Sequence, residues 1–292
     1  MAECRICPRR CGVDRSAGET GFCGCGDTVR IARASLHLWE EPCISGTRGS
    51  GTIFFSGCNL RCVYCQNYEI SHGGKGRNVT LAQLADTMLD LQSQLAHNIN
   101  LVTPTHYTRQ IIDVLEEVKP QLFVPVVYNC GGYESPATID RLAGLVDVYM
   151  PDLKYFSPEL SEKYSGAKDY YMVAIEAIRR MRAQVGEPQY DENGIMTRGL
   201  LIRHLVLPGC RKDSIELIHR LADTFAPGDF VLSLMSQYTP DYAMNTPYEN
   251  LHRRVTTLEY ESVVREVRLA GFEGYIQERS AASAKYRPDF YG

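Results

Sequence analysis

The chain has 292 residues, 44% of them hydrophobic and 23% charged, an ordinary globular balance that can bury a substantial core. Its 31 basic and 35 acidic side chains leave a formal net charge of −4 without a long single-signed run, which argues against a nucleic-acid footprint. No segment approaches an apolar run of ~18 residues, and Met1-Ala2-Glu3-Cys4-Arg5 is not followed by an apolar leader, so no membrane partner and a cytoplasmic location are expected. Without an export signal the eleven cysteines read as metal ligands and reduced thiols, which an oxygen-poor cytoplasm suits best.

Five of these cysteines, Cys4, Cys7, Cys11, Cys23 and Cys25, crowd into the first 25 residues. The glycine-rich stretch around them has neither helical nor strand periodicity and too little apolar surface to fold alone. Residues 1–48 are therefore expected to form a small cysteine-rich metal-binding segment, because binding thiolates to a metal couples affinity directly to folding. Cys4, Cys7, Cys11 and Cys23 are the candidate ligands, with Cys25 left over as a fifth thiol. Zinc and a second iron-sulfur cluster both suit such a set, since ligand type alone does not choose between them. Unmetallated thiols are the bland alternative. Cys43 reads as a small core residue.

Residues 49–292 are expected to form the main domain, ending in a C-terminal extension. A strand-like run at 52–56 leads into Gly57-Cys58-Asn59-Leu60-Arg61-Cys62-Val63-Tyr64-Cys65. Three thiolates at this C-x3-C-x2-C spacing can wrap one loop around three irons of a 4Fe-4S cubane, leaving the fourth iron open for chemistry. Structural zinc instead wants four protein ligands, usually as two separated pairs. Further strand-like runs fall at 99–103, 123–129, 146–151, 200–207, 230–235 and 274–277. Between them lie helix-like segments at 81–96 behind Thr80, 109–119 after Thr108, 136–145 after Ser135, 157–164, 170–184, 215–225 and 259–270. This alternation predicts an α/β fold with a parallel sheet and crossover helices.

The motif after a strand, with aromatic Tyr64 before the last cysteine, resembles the radical S-adenosylmethionine (radical SAM) superfamily. Cys62-Val63-Tyr64-Cys65-Gln66-Asn67 is similar to the branch typified by the pyruvate formate-lyase activating enzyme, especially relatives with a cysteine-rich N-terminus. The likeness spans most of residues 1–280. It implies a partial (β/α)6 TIM-like barrel with a wide lateral mouth, and S-adenosyl-L-methionine held on the open iron. It also implies an electron donor of flavodoxin or ferredoxin type. Functional residues of such barrels gather where strands end. The family's Gly-Gly-Glu motif is replaced here by Val102-Thr103-Pro104-Thr105, so Thr103 and Thr105, or nearby carbonyls, are expected to receive the cofactor's amino group. His106 is either substrate-facing or a locally bonded helix-start residue. Asp152-Leu153-Lys154 looks like the family's Asp-x-Lys element, with Lys154 pairing the cofactor carboxylate. Asp152 would orient Lys154 or hold a monovalent cation, with Met150 and Asn129 near it. His204 is expected to touch the cofactor, against the plainer reading of a core histidine. Tyr64 is expected near adenine.

Cys130 and Cys210 follow strands and are mostly expected in the core. Gln237, Gln277, Glu278 and Arg279 are polar strand ends expected to shape a substrate pocket, and loop 237–256 reads as a lid, a docking surface or a plain surface loop. Three functions fit this reading. One is radical hydrogen abstraction from a small-molecule, peptide or protein substrate. A second is formation of a glycyl radical on a partner enzyme. The third is a non-catalytic iron-sulfur redox protein, which the clustered polar strand ends disfavour.

Overall fold

The structure is a computed structural model that describes residues 3–278. In chain order its strands are β1 (Val29–His37), β2 (Ser50–Phe55), β3 (Arg77–Val79), β4 (Ile99–Val102), β5 (Val126–Cys130), β6 (Val148–Pro151), β7 (Gln189–Tyr190), β8 (Met196–Leu205), β9 (Val231–Met235) and β10 (Gly274–Ile276). The helices are α1 (Pro42–Ser45), α2 (Tyr68–Ser71), α3 (Leu81–Ser93), α4 (Thr108–Val118), α5 (Pro136–Asp140), α6 (Pro158–Ser165), α7 (Tyr170–Val185), α8 (Arg211–Thr224) and α9 (Thr257–Leu269). All strands join one sheet in the order β10-β9-β8-β6-β5-β4-β2-β1-β3, with β7 on β8. The path from β10 to β2 is parallel throughout, and β1 and β3 add an antiparallel edge. This is the partial, TIM-like α/β barrel of the sequence reading, with a cysteine-rich segment ahead of it.

Local chemistry explains the boundaries. Thr80 and Thr256 each close a capping box, with Gln83 and Glu259 respectively, which starts α3 and α9 where the side chains satisfy orphan amides. β5 begins at Val126, later than the run at 123–129, because Pro125 has no amide to give the ladder. α5 stops at Asp140, five residues short of the helix-like run. β1, β3 and β7 carry no strand expectation in the sequence reading. β1 pairs with β2 from Ile31↔Phe55 to His37↔Ser50, so the sheet continues from the barrel into the segment before residue 49.

Two faces follow from the register. Outward, Ile53, Phe55 and Leu101 pack with α3 and α4, while Tyr128, Tyr149, Leu200 and Ile202 pack with α7 and α8. Inward, α1 plugs the lower lumen. Cys43 and Ile44 bury against Val127, Val148, Met150, Leu201 and Val231, and Asn98 Nδ2 donates to the Ile44 carbonyl at 2.7 Å. Cys43 is thus a core residue, as expected.

The cysteine-rich segment clasps the loop after β2 from outside. Arg9 Nε donates to the Asn59 carbonyl at 2.8 Å and Nη2 to the Ser165 carbonyl at 2.8 Å, and Nη1 donates to the Gly166 carbonyl. Cys25 Sγ lies 3.3 Å from the Ser56 carbonyl. Gly57 has φ +86°, and a side chain there would run into Cys25 Sγ, so the close approach of the two segments needs glycine. No helix among the described residues is long and apolar enough to cross a membrane.

Candidate active site

Above the plug a cavity of about 200 Å³ opens between the loop after β2 and the upper ends of β5, β6 and β8. Cys62, Tyr64, Cys65, Asn129, Asp152 and Lys154 all line it, together with Glu40, Gln66, Asn67 and Arg203. Phe54, Val102, Leu205 and Met235 form its apolar wall. Register accounts for the gathering: Phe54 pairs with Val102, Val102 with Asn129 and Asn129 with Met150, so one lateral row faces the lumen.

Each cysteine of the loop has its own donor. The Leu60 amide lies 3.4 Å from Cys58 Sγ, Ser165 Oγ donates to Cys62 Sγ at 2.9 Å, and Ser71 Oγ donates to Cys65 Sγ at 3.3 Å. Burial, then the neighbouring Cys62 thiol, pushes the Cys58 thiol up to about 12 in the chain by itself, so a cationic centre is what would hold these groups as thiolates. No three His, Cys, Asp or Glu side chains among the described residues are grouped to hold one metal ion, either in this loop or among Cys4, Cys7, Cys11 and Cys23. Three local thiols, each with a hydrogen-bond donor of the kind that tunes a cluster, are the donor set that a 4Fe-4S cluster with one open iron would take.

Opposite the cysteines stands a charged layer. Lys154 Nζ donates to Asp152 Oδ2 at 2.5 Å, and Arg203 Nε to Asp152 Oδ1 at 2.8 Å. Burial alone would push the Asp152 carboxyl up, but Arg203 and Lys154 outweigh it and hold it below the usual carboxylate range. Burial likewise works against the Lys154 charge, and Asp152 and Cys62 overcome it. Lys154 thus presents a firmly held ammonium to the cavity, suited to a carboxylate, and the carboxylates of Asp152 and Glu40 lie beside it. These groups fit an amino-acid cofactor in charge.

Other expected site residues lie elsewhere. His204 is 1% exposed on the outer face of β8: its Nδ1 donates to the Leu153 carbonyl at 2.7 Å, and Ser214 Oγ donates to its Nε2 at 2.8 Å. Burial drives its pKa down to about 4, so it is a neutral core histidine; the lumen residue of that strand is its neighbour Arg203. Thr103 is outside the cavity lining and holds φ +57°, an uncommon conformation for a β-branched residue, with its amide bonded to the Asn129 carbonyl at 2.8 Å. Thr105 Oγ1 is spent on Glu134 Oε1 at 2.6 Å. His106 donates Nε2–H to the Ser56 carbonyl at 2.7 Å and faces the cysteine-rich segment.

Tyr64 lines the cavity, but its hydroxyl meets Tyr155 Oη at 2.7 Å in the protein interior. Cys130 and Cys210 are buried outside the lining. Gln237, from loop 237–256, does line the cavity, and Gln277 Nε2 donates to its Oε1 at 3.1 Å. The Glu278 carbonyl accepts from Ser236 Oγ at 2.8 Å, and Arg279 lies outside the described residues. In the N-terminal segment Cys7 feels Cys11 and Cys23 electrostatically, after the dominant burial that raises it.

A parallel partial barrel whose upper end joins a three-cysteine loop to a lysine–carboxylate layer defines a cluster-and-cofactor protein. The radical SAM superfamily profile matches residues 52–222, more than half of the chain, and the protein belongs to that superfamily. An uncharacterized protein of Methanocaldococcus jannaschii is 29% identical over 279 residues, covering 91% of this chain and 74% of that one. Among solved structures, a domain of a pyruvate-formate lyase-activating enzyme from Bacteroides vulgatus aligns at 13% identity and TM-score 0.42, over 59% of this chain and 92% of that one. Streptococcus suis SuiB, solved bound to precursor peptide SuiA, aligns at 13% identity and TM-score 0.49, over 77% of this chain and 48% of that one.

Proposed function

We propose that the protein is a radical SAM enzyme whose catalytic cluster is held by Cys58, Cys62 and Cys65. Bound there, the 4Fe-4S cluster and S-adenosyl-L-methionine supply reductive cleavage to a 5′-deoxyadenosyl radical, which takes a hydrogen from a small-molecule, peptide or protein substrate. The observation that carries this reading is one cavity lined by Cys62 and Cys65 of the cysteine loop and by Lys154 with Asp152. Lys154 faces the cofactor carboxylate, and Asp152 holds the lysine in place. Phe54, Val102, Leu205 and Met235 exclude water from the reacting end. With the Thr103 and Thr105 hydroxyls out of the lining, the cofactor's amino group is left to Glu40, Asn129 or backbone carbonyls.

Residues 1–48 serve as a metal-binding segment in this proposal, with zinc or a second iron-sulfur cluster on Cys4, Cys7, Cys11 and Cys23. Reduction comes from a flavodoxin- or ferredoxin-like donor. An activase role, forming a glycyl radical on a partner, uses the same site, and fold alone does not choose the substrate.

The test is anaerobic reconstitution with iron and sulfide, reduction with dithionite and chromatographic assay of 5′-deoxyadenosine. Wild type is expected to form it, and the Cys58→Ala/Cys62→Ala/Cys65→Ala variant to form none. A wild type that carries its cluster and still makes no product would move the protein to the non-catalytic redox class.

A further inference from the structure

Asp152, Asn129 and Glu40 come from three separate parts of the chain, yet their oxygens converge on one point in the lumen. The resemblance led to the expectation of a monovalent cation beside Asp152, Asn129 and Met150. That point is filled by the guanidinium of Arg203. Its Nε donates to Asp152 Oδ1 at 2.8 Å, its Nη2 to Asn129 Oδ1 at 2.6 Å and its Nη1 to Glu40 Oε2 at 3.2 Å. The other carboxylate oxygens are also engaged: Asp152 Oδ2 accepts from Lys154, and Glu40 Oε1 from Asn100 Nδ2 at 3.4 Å and Asn129 Nδ2 at 3.5 Å. The residues as arranged do not fit a metal cation.

We propose that Arg203 is a built-in counter-cation: its guanidinium takes the place and the charge of a monovalent ion, so the site works without sodium or potassium. Charge balance supports this. Asp152 is held ionised between the positive charges of Arg203 and Lys154, while burial pushes Glu40 toward its neutral form against the pull of Arg203, and all four side chains are at most 18% exposed. Glu41, beside them, is pushed by burial toward its neutral form. An added ion would bring a further positive charge among side chains that are at most 18% exposed, where an uncompensated charge is strongly unfavourable. A planar guanidinium also reaches three oxygens at fixed angles, which an ammonium in the same strand position cannot do.

The test compares reconstituted wild type and Arg203→Met in choline, sodium and potassium chlorides at equal ionic strength. Thermal unfolding is read first, because it needs no cofactor. The wild-type midpoint is expected to be the same in all three salts. Arg203→Met is expected to melt lower in choline and to recover partly in sodium or potassium, because an ion can enter the vacated cage and stabilise the folded state by mass action. Equilibrium binding of S-adenosylmethionine is read second; it rests on the function proposed above. The variant should regain about tenfold in affinity on replacing choline by the metal ion, and wild type should change little.

A wild type whose midpoint rises in sodium or potassium overturns the assignment whatever the variant does. So does a variant that ignores the ion, or one that folds in no salt. If wild type binds no S-adenosylmethionine in any salt, the proposed function fails, and the unfolding comparison still decides the role of Arg203.

Discussion

Glu134 is a fully buried acid that none of the proposed chemistry uses. Thr105 Oγ1 donates to one of its oxygens and Tyr128 Oη to the other at 3.2 Å. Burial raises its pKa to about 7, and those bonds only partly oppose the rise. The folded state therefore keeps a proton that the unfolded chain releases above its ordinary value of 4.5. Stability falls as pH rises through that window, by about 1.4 kcal/mol per unit from this group, and stays reduced above pH 7. Glu134→Gln removes the titration, so its stability relative to wild type should be greater at pH 8 than at pH 5. Urea unfolding at the two pH values measures this, and an equal difference at both would sink the assignment. The residue scale is also where sequence reasoning slipped by one position. Strand alternation puts Ile202, His204 and Val206 on one face, but only the fold says which face meets the lumen, and a single-residue step exchanges His204 for Arg203. Glu40 carried no signal, because it precedes the plug in a stretch without periodicity. The Asp152–Lys154 pair and the cysteine spacing were legible because each is local.

At the scale of elements, the seven strands of the parallel path, β2, β4, β5, β6, β8, β9 and β10, and most helices could be read from apolar runs and caps. β1 was hidden because its alternation slips at the irregularity between Ile31 and Arg33, beside a glycine-rich segment, and because it gains its partner from β2 rather than from its own composition. The α1 plug was hidden for a similar reason: four residues, Pro42–Ser45, make too short a pattern to read. Its function in the fold is clear from packing. Ile44 is 0% exposed and lies among the lumen side chains of β5, β6, β8 and β9. Ile44→Ala should cost about 2–4 kcal/mol, the usual range for emptying a buried aliphatic site. The cysteine loop stands at the other end of the lumen, so iron uptake by Cys58, Cys62 and Cys65 should be unchanged. Chemical denaturation together with iron quantitation checks both halves. Loss of iron with unchanged stability would show that the plug supports the site directly.

For the whole molecule, the question is how the cysteine-rich segment and the barrel hold together, and Arg9 is the main tie. Its guanidinium binds the carbonyls of Asn59, Ser165 and Gly166, thereby joining the cluster loop to the C-terminal end of α6. It also lies over the Phe22 ring at 3.9 Å and near the Tyr133 ring at 5.3 Å. The carbonyls at a helix C-terminus carry partial negative charge, so a cation is favoured there. Hydrogen bonds to charged groups contribute about 1.5–3 kcal/mol each when lost singly, and three on one side chain do not add in full. Arg9→Ala should therefore destabilise the protein by about 2–4 kcal/mol and free the first 28 residues for proteolysis ahead of the barrel. Arg9→Lys should recover only part of this, because one ammonium cannot span three carbonyls. Limited proteolysis followed by mass spectrometry distinguishes the variants. Should Arg9→Ala be cut at the wild-type rate and sites, the segment must be held chiefly by the packing of Cys25 against Ser56 and by Arg15, whose Nη1 reaches the His106 carbonyl at 2.5 Å.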